Sequence, residues 1–206
     1  MKIVLATHNE HKVVELNAIL GAMVEGLELI GYNGPEPVED GVTYAENALI
    51  KARAAHAHTG LPAIADDSGI AVEVLGGSPG IFSARWSGTR DAIANRRLLL
   101  EQMKDVKPEH RGAAFVCTIA LVGFELPEDE VGADAADAEP NEITFTGIWP
   151  GVVGLAETGE AGFGYDPVFV PEGFEVSAAE LEPEVKNSMS HRTLALEQLA
   201  SFLNQR

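Results

Sequence analysis

Residues 1–23, MKIVLATHNEHKVVELNAILGAM, pass from one periodicity to another within a few positions. Lys2 to Ala6 is a short apolar run with β-branched Ile3 and Val4, the pattern of a buried strand. From about Glu10 to Met23 the apolar residues Val14, Leu16, Ile19, Leu20 and Met23 follow helical spacing, and Gly26 stops the pattern. The turn between them is Thr7-His8-Asn9-Glu10-His11-Lys12. A strand that feeds straight into a helix presents backbone N–H groups and a positive dipole end where an anion can sit, and Lys12 is placed to reach it.

The alternation continues outward. An irregular Gly/Pro/acid stretch, Gly31 to Gly41, precedes Thr43, which opens a helix running to about His58, with Glu46 three residues on completing a capping box. On that helix Lys51 shares a face with Asn47, one turn earlier. Leu61 to Ala65 reads as a buried strand, broken by Asp66-Asp67-Ser68-Gly69, and Ile70 to Leu75 as another. A glycine-punctuated loop, Gly76 to Gly88, leads to an amphipathic helix over Asp91 to Lys104. Phe115 to Gly123, Ile143 to Ile148 and Val168 to Val170 read as strands, and Ser177 with Glu180 as the cap of a short helix. Ser190 precedes a final helix whose apolar face is Ala195, Leu199, Phe202 and Leu203. The pattern predicts an α/β protein with a mixed sheet, a single domain over 1–206.

Charge narrows the partners. The 206 residues hold 32 acids against 14 Lys plus Arg, a net charge of −18, which argues against a sequence-independent nucleic-acid binder. Residues 112–185 contain 16 acids and no Lys, Arg or His, so a bound anion must be held by cations that flank this stretch. Its connector, 125–142, carries eight acids and no base and predicts an exposed hairpin insertion outside the chemistry. No segment approaches the roughly 18 apolar residues of a membrane span, and the start reads as a strand rather than a signal peptide. With Cys117 alone, no internal disulfide is possible, which suits a reducing cytoplasm.

Three segments could carry chemistry. Asp66-Asp67 follows an apolar strand directly, placing two carboxylates at a strand end, where α/β sheets bind ligands. Such a pair is best tolerated with a cation between or in a site open to water, and magnesium takes one or two carboxylates plus waters and phosphates. The competing reading is a plain turn, which all four residues of Asp66 to Gly69 favour. Lys186-Asn187-Ser188-Met189-Ser190-His191-Arg192 ends the base-free stretch. Its cations at the start of a helix oppose the dipole, which suggests a bound anion or carbonyl, or else a surface pair between Arg192 and the acids of 180–184. Gly162-Phe163-Gly164-Tyr165-Asp166-Pro167 brackets an aromatic with glycines, so either Phe163 or Tyr165 could stack on a flat ligand, or both could be core aromatics at a tight turn. The six His show no zinc-ligand arrangement, and neither a Walker loop nor a dinucleotide fingerprint is present.

Taken together, ATHNEHK at 6–12, ENALIKA at 46–52, ADDSGIAVEVLGGSPGIFSARWSG at 65–88, GFGYDP at 162–167 and SHR at 190–192 resemble the inosine triphosphate pyrophosphatases, in their bacterial RdgB-like branch. The resemblance runs over nearly the whole chain in order. It implies a long mixed sheet with flanking helices forming two lobes around a nucleotide cleft, usually as a homodimer. It also implies a magnesium-dependent enzyme that hydrolyses the α–β phosphoanhydride of dITP, ITP and XTP to a nucleoside monophosphate and pyrophosphate.

Carried over by motif, the resemblance implies that Thr7, His8, Asn9, Glu10, His11 and Lys12 cradle the triphosphate. It makes Asp67 the general base and a metal contact with Asp66 beside it, Glu39 the other acidic metal position, Ser68 a substrate contact and Lys51 a neutraliser of phosphate charge. Phe163 would stack on the base in a pocket shaped by Gly164, Tyr165 and Asp166, and Lys186, His191 and Arg192 would read the purine edge. Two departures stand out. His8 occupies a position where the family commonly has Gly, and Glu39-Asp40-Gly41 leaves open which of the two acids is the ligand. A Maf-like pyrophosphatase is disfavoured, because the Ser-Pro-Arg-Arg character of its opening motif is absent. A nucleotide sensor without hydrolysis is disfavoured by the presence of both Asp66 and Asp67.

Overall fold

The computed structural model describes residues 1–8, 10–125 and 141–205, without the side chains of Glu10, His11 and Glu15. In chain order the elements are β1 (Lys2–Leu5), α1 (Glu10–Met23), β2 (Glu28–Gly31), α2 (Tyr44–Thr59), β3 (Ala63–Val72), α3 (Ala92–Met103), β4 (Gly112–Val122), β5 (Glu142–Val153), β6 (Phe169–Pro171), α4 (Pro183–Met189) and α5 (His191–Leu203). The strands form one mixed six-stranded sheet in the order β2-β1-β3-β4-β5-β6. No helix among the described residues is long and apolar enough to cross a membrane. Of the acidic connector, 126–140 lie outside the described residues, and Glu142 opens β5.

The chain divides into two compact units, residues 1–67 with 118–146 and 195–206, and residues 68–117 with 147–194. In the first, β1 pairs in parallel with β2 and β3. Ala48 and Ala52 of α2 are buried with Ala65, Ala120 and Val122, and Ala55 with Val4, Tyr32 and Ala63. Three alanines on one helical stripe leave no bulk to hold the helix off, so the polar side chains of that helix are held close to the strand ends. In the second unit Phe115, Trp149, Tyr165 and Phe169 pack with Ile70, Leu99 and Met103, and β6 pairs antiparallel with β5. Arg111, at the edge of the base-free stretch, is 3% exposed. Its guanidinium donates to the carbonyls of Met103, Val106, Val153 and Gly154, so this cation is structural.

Several expectations change. Asp66 to Gly69 is no turn: β3 runs unbroken through it from Ala63 to Val72 and ends in a 3-10 turn at Glu73–Leu75. Turn propensity loses here because these residues sit inside a strand that has β4 as a neighbour, and sheet pairing takes up backbone groups that a turn would otherwise satisfy. Gly69 serves proximity rather than a bend, since a Cβ there would collide with the Gly80 carbonyl and the Ser83 hydroxyl. The four-residue β2 has no sequence signal of its own. Its edge is completed by Asn17 of α1, which donates to the Leu29 carbonyl at 2.8 Å and accepts from the Leu29 amide at 2.7 Å. Ser177 and Glu180 do bond, amide to carboxylate at 2.9 Å, but they close a turn and not a helix. The helix there is α4, opened by Pro183 as its first residue.

Candidate active site

In the first unit six polar side chains converge. Thr43 caps α2, its hydroxyl accepting from the Glu46 amide at 3.1 Å, while Glu46 reaches back to the Val42 amide at 2.6 Å. This sets the helix in register so that Asn47 and Lys51, one turn apart, face the same strand. Asn47, 2% exposed, accepts from the Gly41 amide at 3.0 Å and donates to Asp67 Oδ2 at 3.2 Å. Lys51 Nζ lies 3.2 Å from Glu39 Oε2 and 3.8 Å from Asp67 Oδ1. Of the two acids left open by the sequence, Glu39 is the one that shares Lys51 with Asp67. Beside it, Lys12 from the first turn of α1 forms an ion pair with Asp66.

Electrostatics sets Asp67 apart. Burial pushes its pKa above the ordinary carboxylate value, Lys51 and the Asn47 bond pull it down, and Glu39 and Asp66 push it up, with the net effect upward. Tyr44, the first residue of α2, has a buried hydroxyl with no hydrogen-bond partner among the described residues, and burial together with the negative charge of Asp67 raises its pKa. Among the described residues no group of three or more His, Cys, Asp or Glu forms a ready-made metal cage. The donors present are carboxylate oxygens, the ligand type of a hard cation that keeps waters and substrate phosphates in its shell.

The second unit holds a different surface. Gly162 and Gly164 take positive φ, +77° and +60°, and a Cβ on Gly162 would meet the Asp166 carboxylate. Asp166 is 4% exposed, and its Oδ2 accepts from the Phe163 amide at 2.8 Å and from Lys186 Nζ at 2.5 Å. Lys186 Nζ stands 5.4 Å from the centroid of the Phe163 ring, a cation–π distance. That ring is 68% exposed, whereas Tyr165 is buried in the core and donates its hydroxyl to the Ser83 carbonyl at 2.9 Å. The choice between two aromatics is thus decided: Phe163 offers a face and Tyr165 holds the loop down. Ser83 in turn accepts from the Ile70 amide at 3.0 Å, tying the loop to β3 just beyond Asp67 and Ser68.

Residues 3–202 match the model of the Ham1 family. The chain belongs to the Ham1 family. A relative from Leifsonia xyli subsp. xyli, named dITP/XTP pyrophosphatase, is 50% identical over 204 residues, 98% of this chain and 96% of its own. Another of that name, from Pseudomonas syringae pv. tomato, is 47% identical over 196 residues, 95% of this chain and 93% of its own. Among solved structures, the nucleoside-triphosphatase / dITP/XTP pyrophosphatase of Mycobacterium abscessus is similar with a TM-score of 0.78 and 45% identity, covering 97% of this chain and 98% of that one. The HAM1 protein of Coxiella burnetii is similar with a TM-score of 0.85 and 36% identity over 100% of both chains.

The site residues expected from the sequence distribute over this Ham1 chain as follows. Glu39, Lys51, Asp66, Asp67 and Lys12 lie together in the first unit. Thr7 donates its amide to the Leu5 carbonyl at 2.8 Å, closing the turn after β1. His8 turns back onto Tyr32. Asn9 lies outside the described residues, as do the side chains of Glu10 and His11. Phe163, Gly164, Tyr165, Asp166 and Lys186 form one cluster in the second unit, with Ser68 half-buried on β3. His191 opens α5, its ring stacked on Phe115 at 4.9 Å and 14°, and Arg192 follows half-buried. Asn47 and Tyr44 carry no site signal of their own in the sequence. The spacing of Asn47 to Lys51 was visible, but only the fold brings α2 to Asp67.

Proposed function

We infer that this Ham1-family chain is a nucleoside triphosphate pyrophosphatase acting on dITP, ITP and XTP, cleaving the α–β phosphoanhydride to a nucleoside monophosphate and pyrophosphate. The names of its relatives support the substrates, and one observation supports the chemistry: Asp67 is held between Asn47 and Lys51 with its proton affinity raised. A carboxylate that holds a proton more tightly than usual is a better general base towards water, a role worth about 10² to 10⁴ in rate. Asn47 orients one oxygen of Asp67, leaving the other to take the proton. Lys51 and Lys12, now bound to carboxylates, supply positive charge to the phosphates.

Magnesium is the proposed cofactor, held by Glu39, Asp66 and Asp67, where it would neutralise phosphate charge and acidify the attacking water. In the second unit Phe163 stacks on the base, and Lys186, His191 and Arg192 donate to the 6-oxo group of hypoxanthine or xanthine. An ammonium carries three N–H donors and Asp166 takes one from Lys186, so donors are left for a ligand. The 6-amino group of adenine would leave buried donors unpaired, which discriminates strongly. The family resemblance supports a homodimer working in the cytoplasm.

Pyrophosphate release from dITP, XTP, dATP and dTTP, each with magnesium and with chelator, tests this. Hydrolysis of dITP and XTP that chelator stops is the expected result. Turnover confined to dTTP would overturn the substrate class, undiminished turnover in chelator would overturn the metal, and tight dITP binding without product would make the protein a sensor.

A further inference from the structure

Two acceptors of the second unit, Glu157 and Gly164, lie seven positions apart and meet on one guanidinium. Arg96 of α3 donates from Nε to the Glu157 carboxylate at 2.6 Å and from Nη1 to the Gly164 carbonyl at 3.5 Å. Its side chain is 16% exposed, and Arg97 stands 3.5 Å from the second Glu157 oxygen, so Glu157 is held by two cations and in turn aims the Arg96 fork. Gly164 needs such a hold. It takes φ +60° with open space where a Cβ would stand, so no packing fixes it, and its carbonyl sets the peptide plane between exposed Phe163 and buried Tyr165. The preceding residue of α3 secures the other anchor of this loop. Asn95, 2% exposed, accepts from the Ser87 amide at 2.7 Å and donates to the Ala84 carbonyl at 3.1 Å, which fixes the segment whose Ser83 carbonyl takes the Tyr165 hydroxyl. Both anchors start from a helix with a fixed beginning, because Asp91 caps α3 by accepting from the Ile93 amide at 2.8 Å and the Ala94 amide at 3.3 Å.

We propose that Arg96 is a positioning residue for base recognition: by bonding Gly164 it sets the direction of the Phe163 ring, without itself touching the nucleotide. A loop with positive-φ glycines on both sides of its aromatic samples many conformations, and ordering it on binding costs affinity. Arg96 orders it beforehand. The proposal rests on the reading of Phe163 as the platform that stacks on the base.

The test is steady-state hydrolysis of dITP with magnesium by the full chain and by Arg96→Ala, Arg96→Lys, Phe163→Ala and the double variant Arg96→Ala/Phe163→Ala, each with a melting curve. Inhibition by inorganic pyrophosphate, a product that carries no base, is measured beside it. With Arg96→Ala, KM should rise about 5-fold, the factor one lost hydrogen bond carries, while kcat and the pyrophosphate inhibition constant hold. Added to Phe163→Ala, the same change should raise KM no further, since Arg96 acts through that ring. Arg96→Lys keeps a cation beside Glu157 but loses the planar fork, so it should melt as the parent does and still show the raised KM. Should Arg96→Ala fail to fold, Arg96→Lys carries the comparison in both backgrounds. An unchanged KM in the Arg96 variants would overturn the proposal. So would a further rise in the double variant, which would mark a direct contact with substrate, or a parent-like KM in Arg96→Lys, which would mark charge alone. A pyrophosphate constant that moves together with KM would mark a merely structural role. If Phe163→Ala leaves KM unchanged, the platform reading falls, and the role of Arg96 with it; if only the Arg96 variants leave it unchanged, the platform stands and this proposal alone fails.

Discussion

Asn47 Nδ2 donates to Asp67 Oδ2 at 3.2 Å while Asn47 Oδ1 accepts from the Gly41 amide at 3.0 Å. One buried amide therefore ties three segments together: the 39–41 loop that carries Glu39, the start of α2, and the acidic pair on β3. Its flip state follows from the partners, since the Gly41 N–H requires an acceptor. Asp67, the proposed general base, is oriented by a side chain four residues from the lysine that faces its other oxygen.

Asn47→Ala should lower kcat about tenfold with a smaller effect on KM, because the base loses its orientation while the phosphate contacts stay. The orphaned Gly41 amide should cost about 1–3 kcal/mol of stability. Steady-state kinetics with a melting curve checks both.

Asp67→Asn should abolish pyrophosphate release and, in chelator, raise the melting temperature. The folded pKa of Asp67 is raised above its unfolded value, so the folded state favours the protonated form. Ionisation then costs stability progressively as pH rises from the unfolded pKa through the folded one. The neutral amide removes that cost, so the gain should be present at neutral pH and vanish in acid. For a chain of this length each 1 kcal/mol shifts the melting point by about 2–4 °C. A variant no more stable than the parent at neutral pH would contradict this.

Phe163→Ala should raise KM for dITP about 5- to 150-fold, the range implied by about 1–3 kcal/mol of base stacking, with the melting temperature nearly unmoved. The ring is largely exposed, so its loss empties no core. Phe163→Tyr should retain most of the affinity, because it keeps the π face.

Gly69→Ala should damage both fold and activity. The added methyl has no room between Gly80 and Ser83, and overpacking of this kind costs about 1–3 kcal/mol. Ser83 also receives the Tyr165 hydroxyl, so a shift there reaches the loop of Phe163. Thermal unfolding and KM for dITP, measured together, report the two effects.

Much of this was legible in one dimension because its signals are local. The helix over 44–59 announces itself through Thr43, Glu46 and Gly60, and the strand at the N-terminus through its apolar run. Cys117 falls in the apolar run Phe115 to Gly123, and it is buried on β4. What misled was local too: Asp66-Asp67-Ser68-Gly69 has the composition of a turn, and Ser177 with Glu180 that of a helix cap. In the first case neighbouring strands outweighed residue preference. In the second the motif closed a turn, and the helix began at Pro183.

By itself the sequence determined the alternation of strands and helices, the two acids on an apolar run and the strongly acidic net charge, since periodicity, residue chemistry and charge are properties of a string. Only the tertiary structure decided that Glu39 rather than Asp40 meets Lys51, that Tyr165 is core while Phe163 stays exposed, that Lys186 answers Asp166, and that His8 turns towards Tyr32. Each of these joins residues from 12 to 24 positions apart or settles which of two neighbours faces inward. Such choices depend on where the backbone runs when buried groups must find partners, and no spacing along the chain encodes that.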